Sequence, residues 1–326
     1  MLRMFYEDST IQLNAKTKAR IDNPMTNKPP TNSTEQNVAV DVYMLAYNVE
    51  PYIAQAIEGV LAQQTSFPVR LFIGEDCSTD RTPAICQAYA ERYPDRIVFL
   101  PAERNMGITA NTARMLPYCT AKYMAICDGD DAWIDPLKLR KQVSFLEEHP
   151  DYGLSYSDVE VILETEARVE PPDYAAIRQY YAEGEVFTNL LKGNFINNST
   201  AVVRRKLLQN FHIEPSRDYT ISDYLLWLHI AARAKVHFLP ERTTAYRWHG
   251  NNTTQLQERA LQNRRKCHAV LADILLDFDQ QNQRSLSREE KAVIFRKTLS
   301  ALYRTPSLAL RKRLKLLPLL VRYFPA

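Results

Sequence analysis

Short apolar runs alternate with amphipathic segments along residues 40–150, and this alternation restricts the chain to a small group of folds. The apolar runs have the length and composition of buried strands and lie at Val40–Ala46, Val69–Ile73, Ile97–Leu100 and Lys122–Cys127. Helices are predicted after them at Pro51–Gln64, from Thr82 to just before Pro94, at Thr109–Leu116 and from Asp135 to just before Pro150. Strands that alternate with helices predict βαβ units, so we expect an α/β fold with a mostly parallel sheet and flanking helices.

A polar cluster directly follows each of these four predicted strands. The clusters are Tyr47-Asn48, residues 75–80 (Glu-Asp-Cys-Ser-Thr-Asp), residues 104–107 (Arg-Asn-Met-Gly) and residues 128–131 (Asp-Gly-Asp-Asp). In sheets of this kind, ligands bind outside the carboxyl ends of the strands. We therefore expect the four clusters to gather at one edge of the sheet and to form a ligand site there.

The last of these clusters places three carboxylates, Asp128, Asp130 and Asp131, within four residues. Like charges this close must find partners or shift their pKa values. A hard divalent cation such as Mg²⁺ or Mn²⁺ prefers oxygen ligands and often bridges a carboxylate to a phosphate. The cluster therefore predicts a divalent metal site, and the alternative is an acidic surface turn.

The residues outside this alternating part differ in composition. Residues 1–37 are polar, which predicts a poorly ordered leader. Residues 151–250 predict a loop over the site at 163–185, a helix at Tyr224–Ala234, and strands at Tyr152–Ile162, Phe195–Val203, Val236–Leu239 and Thr243–Trp248. From about Gln255 onward the pattern is helical, so residues 251–326 are expected to form a helical C-terminal region.

The charge of the chain is distributed unevenly. The nine Lys and Arg residues of 291–326 contribute +9 to a net charge of +3, so residues 1–290 carry −6. An acidic body argues against nucleic acid as a partner, whereas the basic tail predicts contact with something anionic. The tail at Leu308–Phe324 mixes Leu with Arg and Lys. It fits an interfacial helix on anionic lipid, or a helix packed on its own domain or on a second subunit of a homodimer.

Composition excludes several classes of protein. Five cysteines without a CxxC pair argue against a disulfide framework or a zinc site and favour a reducing compartment. No stretch approaches the ~20 apolar residues of a membrane-spanning helix, and the first residues lack the apolar core of a secretory signal. We therefore expect a cytoplasmic protein, with peripheral contact at the inner face of the membrane left open.

Several segments in chain order resemble the inverting glycosyltransferases of family two, which have the Rossmann-like GT-A fold. They are residues 42–48 (VYMLAYN), 74–80 (GEDCSTD), 105–111 (NMGITAN), 128–133 (DGDDAW), 222–224 (SDY) and 246–249 (YRWH). The resemblance covers residues 38–250. It implies a catalytic domain with a nucleotide-sugar half at 38–150 and an acceptor half at 151–250.

The resemblance also implies roles for single residues. Asp130 and His249 would hold Mn²⁺ or Mg²⁺, and Asp128 would contact the ribose or reach the metal through water. Asp76 would bind a uracil-type base, framed by Tyr47 and Glu50. The implied contacts to the nucleotide sugar are Tyr47, Glu50, Asp76, Asn105, Gly107, Asp128, Gly129, Trp133 and Arg247.

Each of these residues also has a purely structural interpretation. Asp76 and Asp131 are suited to capping turns, and for Asp131 we prefer that role. Trp133 could stack on a sugar or pack in the core. Arg247 could neutralise a phosphate or form a surface ion pair, and His249 could simply be packed or exposed.

The general base implied by the resemblance is Asp223. The family has an acid pair at this position, and here Ser222 replaces its first member, so Asp223 would act alone. A general base is required because the acceptor hydroxyl must lose a proton during direct displacement at the anomeric carbon. Asp223 also begins a predicted helix, so the structural alternative is a helix N-cap.

Two further departures refine the expected activity. Cys77 stands where the family has glycine, and Thr244 stands where processive synthases have the glutamine of Gln-x-x-Arg-Trp. We therefore expect a metal-dependent, non-processive hexosyltransferase that moves one sugar from a UDP-sugar to a cell-surface glycan or a lipid-linked saccharide. The alternatives are a nucleotide-sugar-binding protein without catalysis and a phosphotransferase of the haloacid dehalogenase type with Asp128 as nucleophile.

Overall fold

The computed structural model describes residues 39–171, 176–209, 211–213, 215, 222–249, 286–304 and 310–323. All of these residues belong to one compact unit, Val38–Ala326. The predicted leader at 1–37 and residues 251–285 of the predicted helical region lie outside the described residues.

The described strands form one nine-stranded sheet with the order β3-β2-β1-β4-β8-β6-β9-β5 and with β7 paired to β6. They are β1 (Val40–Ala46), β2 (Val69–Glu75), β3 (Ile97–Pro101), β4 (Tyr123–Ile126), β5 (Ala132–Trp133), β6 (Tyr152–Leu163), β7 (Arg168–Val169), β8 (Val202–Arg204) and β9 (Lys235–Trp248). The first four strands pair in parallel, as the alternating pattern predicts. Beyond β4 the sheet is mixed, because β8 runs antiparallel to both β4 and β6, whereas β6 and β9 pair in parallel.

Eight α-helices flank this sheet within the described residues. They are α1 (Ile53–Leu61), α2 (Thr82–Arg92), α3 (Ile108–Met115), α4 (Lys138–Glu148), α5 (Phe187–Lys192), α6 (Ser222–Ala231), α7 (Arg288–Arg304) and α8 (Leu310–Arg322). Helical spacing predicts an apolar face of α1 formed by Ile53, Ala56, Ile57, Val60 and Leu61, and the first four of these are buried, whereas Leu61 is half-buried. None of the helices in the described ranges is long and apolar enough to cross a bilayer.

The core consists of two apolar layers separated by the sheet. The side chains of β1 contribute to both layers in turn, because successive side chains of a strand point to opposite faces of the sheet. Val42 and Met44 pack with α1 and α4 in one layer, whereas Tyr43 packs in the other layer with α5 and α6. Side chains of α7 and α8 join this second layer, so the C-terminal helices pack on the body of the protein.

Two strand predictions need correction. The predicted strand at Phe195–Val203 is a 3₁₀ turn at Asn198–Thr200 followed by the short strand β8. The side chain of Asn197 accepts a hydrogen bond from the backbone of Ser199, which favours a turn over an extended chain. The two strands predicted at 236–239 and 243–248 form the single strand β9, and a register shift against β6 accommodates the residues between them.

Candidate active site

The carboxyl ends of the parallel strands lie at one edge of the sheet. Ala46 of β1 is paired with Glu75 of β2, and Glu75 is paired with Pro101 of β3. On the other side of β1, Tyr43 is paired with Ile126 near the end of β4. The register therefore brings the polar clusters that follow these strands together at one edge, as predicted from the sequence.

Hydrogen bonds join the first cluster to the second. The side-chain oxygen of Asn48 accepts from the backbone N–H of Thr79 at 2.8 Å, and the N–H of Asn48 donates to Ser78 Oγ at 2.9 Å. The carboxylate of Glu50 accepts from the backbone N–H of Arg81 at 2.9 Å. Glu50 therefore has a partner within the protein, whereas the Tyr47 ring is 46% exposed at this edge.

Asp76 links the second cluster to the third. Its two carboxylate oxygens accept from the backbone N–H groups of Met106 and Gly107 at 2.8 and 2.9 Å. Asn105 Oδ1 also accepts from the Gly107 N–H at 2.9 Å, and Gly107 has a φ of +80°, which glycine adopts without strain. Each Asp76 oxygen keeps a second lone pair, so this capping role leaves room for a contact to a base, which remains a prediction.

The turn at Cys77 explains the departure from the family pattern at this position. Cys77 has a φ of +59°, a left-handed conformation that costs residues with a Cβ about 1–2 kcal/mol. The carboxylate of Glu75 holds the turn, because it accepts from the backbone N–H groups of Cys77 and Ser78 at 3.2 and 2.6 Å. Glycine would adopt this backbone freely, and here Glu75 supports the cysteine instead.

Asp130 and His249 form the closest acid–histidine pair at the edge, with 3.0 Å between Asp130 Oδ2 and His249 Nε2. The Asp130 side chain is 26% exposed and that of His249 is 5% exposed. Within the described ranges, no group of three or more His, Cys, Asp or Glu side chains could hold a metal ion. Among the described residues, Asp130 and His249 are therefore a pair of neighbouring side chains rather than a complete set of metal ligands.

The side chain of Arg247 is buried rather than exposed at the surface. Its Nε donates to the backbone oxygen of Asp130 at 3.1 Å, and its other guanidinium nitrogens contact Glu166 and Gln55. The guanidinium also lies 4.6 Å from the centre of the Tyr52 ring. A surface ion pair is thus wrong for Arg247, and its donors are engaged in supporting the turn that carries Asp130.

Asp131 is buried and accepts two hydrogen bonds, from Ser199 Oγ at 2.6 Å and from the backbone N–H of Arg247 at 3.0 Å. These contacts give Asp131 a structural position, which agrees with the preferred prediction. Ser199 Oγ also accepts from the backbone N–H of Asp128 at 3.0 Å. A single serine hydroxyl therefore joins both ends of the acidic cluster.

The carboxylate of Asp128 is held by Asn198, whose Nδ2 lies 3.1 and 2.9 Å from the two oxygens. Loss of hydration, followed by the nearby charge of Asp130, raises the pKa of the Asp128 carboxyl to about 7. The predictions from sequence missed Asn198 and Ser199. The polar run Asn197–Thr200 was the available signal, because it interrupts an otherwise apolar strand pattern.

Trp133 lies in the apolar core and is only 4% exposed. Of its two interpretations, the structure agrees with core packing, because so little of the ring is available for stacking on a sugar. Its indole Nε1 donates to the backbone oxygen of Ser199 at 2.7 Å. Trp133 therefore supports the segment that holds Asp128 and Asp131. Its effect on the site is indirect.

Gly129 permits the close approach of the acidic cluster to β1. Its N–H donates to the backbone oxygen of Leu45 at 3.0 Å, and a Cβ at this position would lie 2.8 Å from that oxygen. The predicted role of Gly129 in close backbone approach is thus seen within the protein. Its contact to the nucleotide sugar remains a prediction.

We expect Gly129→Ala to lower the melting temperature, because the added methyl must displace backbone rather than a flexible side chain. Forced overpacking costs about 1–3 kcal/mol. Gly193→Ala is the matched control, since Gly193 has an extended backbone and no atom lies within 4 Å of a Cβ there. Thermal unfolding followed by circular dichroism measures both variants, and equal melting temperatures would contradict this account of Gly129.

Asp223 lies in the first turn of α6, where its Oδ2 accepts from Asn194 Nδ2 at 3.3 Å. Loss of hydration raises the pKa of the Asp223 carboxyl to about 6. Burial raises the pKa of the Tyr43 phenol, and the charges of Asp128 and Asp223 raise it further. The charge of Asp223 also raises the pKa of Asp128, so the predicted base interacts electrostatically with the acidic cluster.

The chain belongs to glycosyl transferase family 2, because the model of that family matches residues 41–211. An uncharacterized protein of Mycobacterium tuberculosis is 36% identical over 65% of this chain and 59% of its own length. A putative teichuronic acid biosynthesis glycosyltransferase of Bacillus subtilis, TuaG, is 28% identical over 58% of this chain and 70% of its own length. This chain therefore spans about three fifths of the first of these relatives.

Two solved structures have a similar fold. The crystal structure of S. aureus TarS in complex with UDP-GlcNAc has a TM-score of 0.59 at 16% identity, over 88% of this chain and 80% of that one. A mannosyltransferase of Pyrobaculum calidifontis in complex with GDP-Man and Mn²⁺ has a TM-score of 0.56 at 17% identity, over 88% and 75%. The similarity confirms the GT-A fold expected from the sequence.

Proposed function

We propose that this protein is a metal-dependent inverting glycosyltransferase that moves one sugar from a nucleotide diphosphate sugar to a hydroxyl group. The donor is a UDP-sugar, and the acceptor is a cell-surface glycan or a lipid-linked saccharide. One observation carries the proposal: Asn194 and Asn198 of one short segment bond to Asp223 and Asp128, so a carboxyl with a pKa raised toward neutrality is held near the cluster that contains the Asp130–His249 pair. An acid–histidine pair for the donor and a separate base for the acceptor are the two parts that direct sugar transfer requires.

Family membership supports this proposal, and so do the ligands of the two similar structures. TarS was crystallised with UDP-GlcNAc, and the mannosyltransferase was crystallised with GDP-Man and Mn²⁺. The name of the B. subtilis relative refers to teichuronic acid, a class of acceptor consistent with a cell-envelope glycan. The two structures contain different nucleotides, and we favour uridine because Asp76 keeps free lone pairs for a uracil-type base.

Asp130 and His249 fit a site for Mn²⁺ or Mg²⁺. Asp130 Oδ2 and His249 Nε2 lie 3.0 Å apart, so these two side chains would hold the ion together. Such ions are commonly held by one or two protein groups together with substrate phosphates. When bound, the ion would neutralise the charge that develops on the leaving diphosphate.

Asp223 and Asp128 have separate roles in the rest of the proposed reaction. Asp223 accepts the proton of the acceptor hydroxyl as its oxygen forms a bond to the anomeric carbon. The bond from that carbon to the diphosphate oxygen breaks in the same displacement, so the configuration inverts. Asp128 is held by Asn198 in a fixed position at the donor side, which keeps the acidic cluster aligned without a conformational search.

We expect the rate of transfer to rise through a midpoint near pH 6 and to level off above it. The pKa of Asp223 is raised to about 6, and only its ionised form can accept a proton. Protonation therefore removes activity as the pH falls through that value. Initial rates at saturating donor and Mn²⁺ between pH 5 and 8 measure the profile, and a flat profile would contradict Asp223 as the base.

Helix α8 supplies a surface that fits anionic lipid. One face is buried in the core through Leu316, Leu319 and Tyr323, which confirms packing on its own domain. The exposed side chains of this helix include three apolar ones, Leu314 at 57%, Leu317 at 48% and Val321 at 81%. No Asp or Glu follows Glu290 in the sequence, and the helix segment carries five Lys or Arg residues. Apolar side chains in a basic helix are typical of interfacial contact with anionic membranes.

The combined substitution Leu314→Glu, Leu317→Glu and Val321→Glu should abolish pelleting with liposomes that contain phosphatidylglycerol. Pelleting by the unaltered protein should be weak with neutral phosphatidylcholine alone, because basic segments are attracted to anionic lipid. The exposed residue Tyr180, which lies outside α8, provides a control as Tyr180→Glu. If the triple variant pelleted as well as the control, the membrane contact would be wrong.

Calorimetric titration with nucleotide sugars tests the donor site directly. We expect UDP-GlcNAc or another UDP-sugar to bind in the presence of Mn²⁺ and to bind more weakly after chelation. Binding without transfer to any acceptor would instead favour a nucleotide-sugar-binding protein without catalysis. Failure of every nucleotide sugar to bind would overturn the proposed function.

A further inference from the structure

The segment Asn194–Ser199, between α5 and β8, contains three polar side chains that each donate a hydrogen bond to a carboxylate of the candidate site. Asn194 Nδ2 donates to Asp223 at 3.3 Å, and Asn198 Nδ2 donates to both oxygens of Asp128. Ser199 Oγ donates to Asp131 at 2.6 Å. One short segment therefore contacts the donor side and the base of the proposed reaction.

This segment is anchored to the core at its C-terminal end. The backbone oxygen of Ser199 accepts from Trp133 Nε1 at 2.7 Å and from Thr244 Oγ1 at 3.2 Å. The next carbonyl, that of Thr200, accepts from the buried side chains of Lys138 and Gln142 at 2.9 and 3.0 Å. The segment is thus a fixed support, from which Asn194 extends toward α6.

The amide of Asn194 has a defined orientation. Its Oδ1 accepts from the backbone N–H of Ile196 at 3.1 Å, which leaves Nδ2 as the group that faces Asp223. An asparagine with its oxygen occupied by a backbone donor can present only N–H groups to a neighbouring carboxylate. Asn194 therefore donates to one oxygen of Asp223, its Oδ2.

We propose that Asn194 is a positioning residue that holds the base Asp223. It takes over the support of Asp223 from the acidic residue that the family has at the position of Ser222. This inference rests on the proposed function and adds a residue to it. A donor on one carboxylate oxygen restricts rotation of the Asp223 side chain and favours its ionised form. The acceptor proton is then delivered to an oxygen with a fixed location, which is the advantage that orientation gives a catalytic base.

Other groups around Asp223 would continue to affect the pKa of its carboxyl after Asn194 is replaced. The backbone N–H of Tyr224 hydrogen-bonds to the carboxyl and favours its ionised form. The charge of Asp128 faces it from the end of β4, and the phenol of Tyr43 faces it from β1. The hydrogen bond from Tyr224 should help to retain Asp223 in the ionised form near neutral pH after the loss of Asn194.

The test compares Asn194→Ala and Asn194→Asp with Asn189→Ala, which changes an exposed asparagine of α5. We expect Asn194→Ala to raise the midpoint of the pH–kcat profile by about half a pH unit and to lower kcat about tenfold. Asn194→Asp should raise the midpoint further, because it places a like charge beside Asp223. Donor KM should change less than about twofold in all three variants, since Asn194 does not contact the donor cluster.

A second readout does not depend on turnover. Carboxyl ¹³C chemical shifts of the full-length protein should show the Asp223 titration move upward in Asn194→Ala and remain unchanged in Asn189→Ala. A purely structural role for Asn194 would lower the melting temperature without moving either midpoint, and that result would overturn the inference. Absence of transfer by the unaltered protein would remove the proposed function itself, whereas an active enzyme with unmoved midpoints would overturn this inference alone.

Discussion

Replacing Asp223 with asparagine should reduce the rate of sugar transfer by about 10²–10⁴-fold, the usual contribution of a general base. The substitution preserves the size of the side chain and removes only its ability to accept a proton. Binding of the donor should remain within about twofold of the unaltered protein, because Asp223 acts on the acceptor. Single-turnover transfer and calorimetric donor binding measure the two effects separately.

Stability provides a control for this variant. The pKa of Asp223 is raised in the folded protein, so the ionised carboxylate is less favourable there than in the unfolded chain. The stability that this group contributes is present at low pH and is lost as the pH rises through about 6. Asp223→Asn should therefore raise the melting temperature at pH 8, raise it less at pH 5, and leave it nearly unchanged below about pH 4, where the carboxyl is protonated in both states.

Asp135→Asn is the matched substitution outside the site, because Asp135 also precedes a helix and caps a backbone N–H there. It should leave transfer unchanged. Full transfer activity in Asp223→Asn would show that the base lies elsewhere. A loss of activity together with a fall in melting temperature at pH 8 would point to misfolding rather than to chemistry.

Replacing Asp130 with alanine should lower metal-dependent turnover by about 10²-fold or more. The Lewis-acid effect of a bound divalent ion is worth several kcal/mol in a transition state, and each 1.4 kcal/mol is a factor of ten in rate. Calorimetric titration should show weaker binding of Mn²⁺ in the presence of UDP. The loss should not be restored by raising the donor concentration alone.

The exposed surface carboxylate of Asp151, paired with Lys235, provides the control as Asp151→Ala. Because that side chain is 56% exposed, its loss should leave both metal binding and turnover unchanged. Full metal-dependent turnover in Asp130→Ala would mean that the proposed mechanism is wrong. The buried neighbour Asp131 makes a poor control, since its removal would leave the hydroxyl proton of Ser199 and the backbone N–H of Arg247 without their acceptor.

The predictions from sequence were most accurate where local pattern determines structure. The strand at Val40–Ala46 has the predicted bounds, and α1 buries the predicted face. The gathering of polar clusters followed from a general property of parallel sheets, and the register of β1, β2 and β3 confirms it. Short-range periodicity and a topological rule were sufficient for this half of the chain.

The missed features depend on contacts between residues far apart in the chain. Asn198 and Ser199 reach Asp128 and Asp131 across about 70 residues, and no local pattern specifies such a pair. Arg247 is buried against Asp130 for the same reason, although an arginine next to a tryptophan gave no sign of burial. Trp133 was left between two interpretations, and only the assembled core distinguishes them.

The acidic cluster therefore contains carboxylates with different surroundings. Asp131 is buried and bonded within the protein, whereas Asp128 is held by Asn198 and Asp130 remains partly exposed next to His249. This division explains how three carboxylates can lie within four residues. Asp130 is the partly exposed carboxylate of the cluster that lies next to His249, which is why the proposal assigns the metal to it.

Release of nucleoside diphosphate from a panel of UDP-sugars and GDP-Man, with and without Mn²⁺, tests the central proposal most directly. We expect at least one UDP-sugar to yield UDP in the presence of Mn²⁺. Chelation should stop the release, and it should be reduced at least about 10²-fold in both Asp130→Ala and Asp223→Asn. Release that continued unchanged after chelation would contradict the proposal. Release by either variant at the rate of the unaltered protein would contradict it as well.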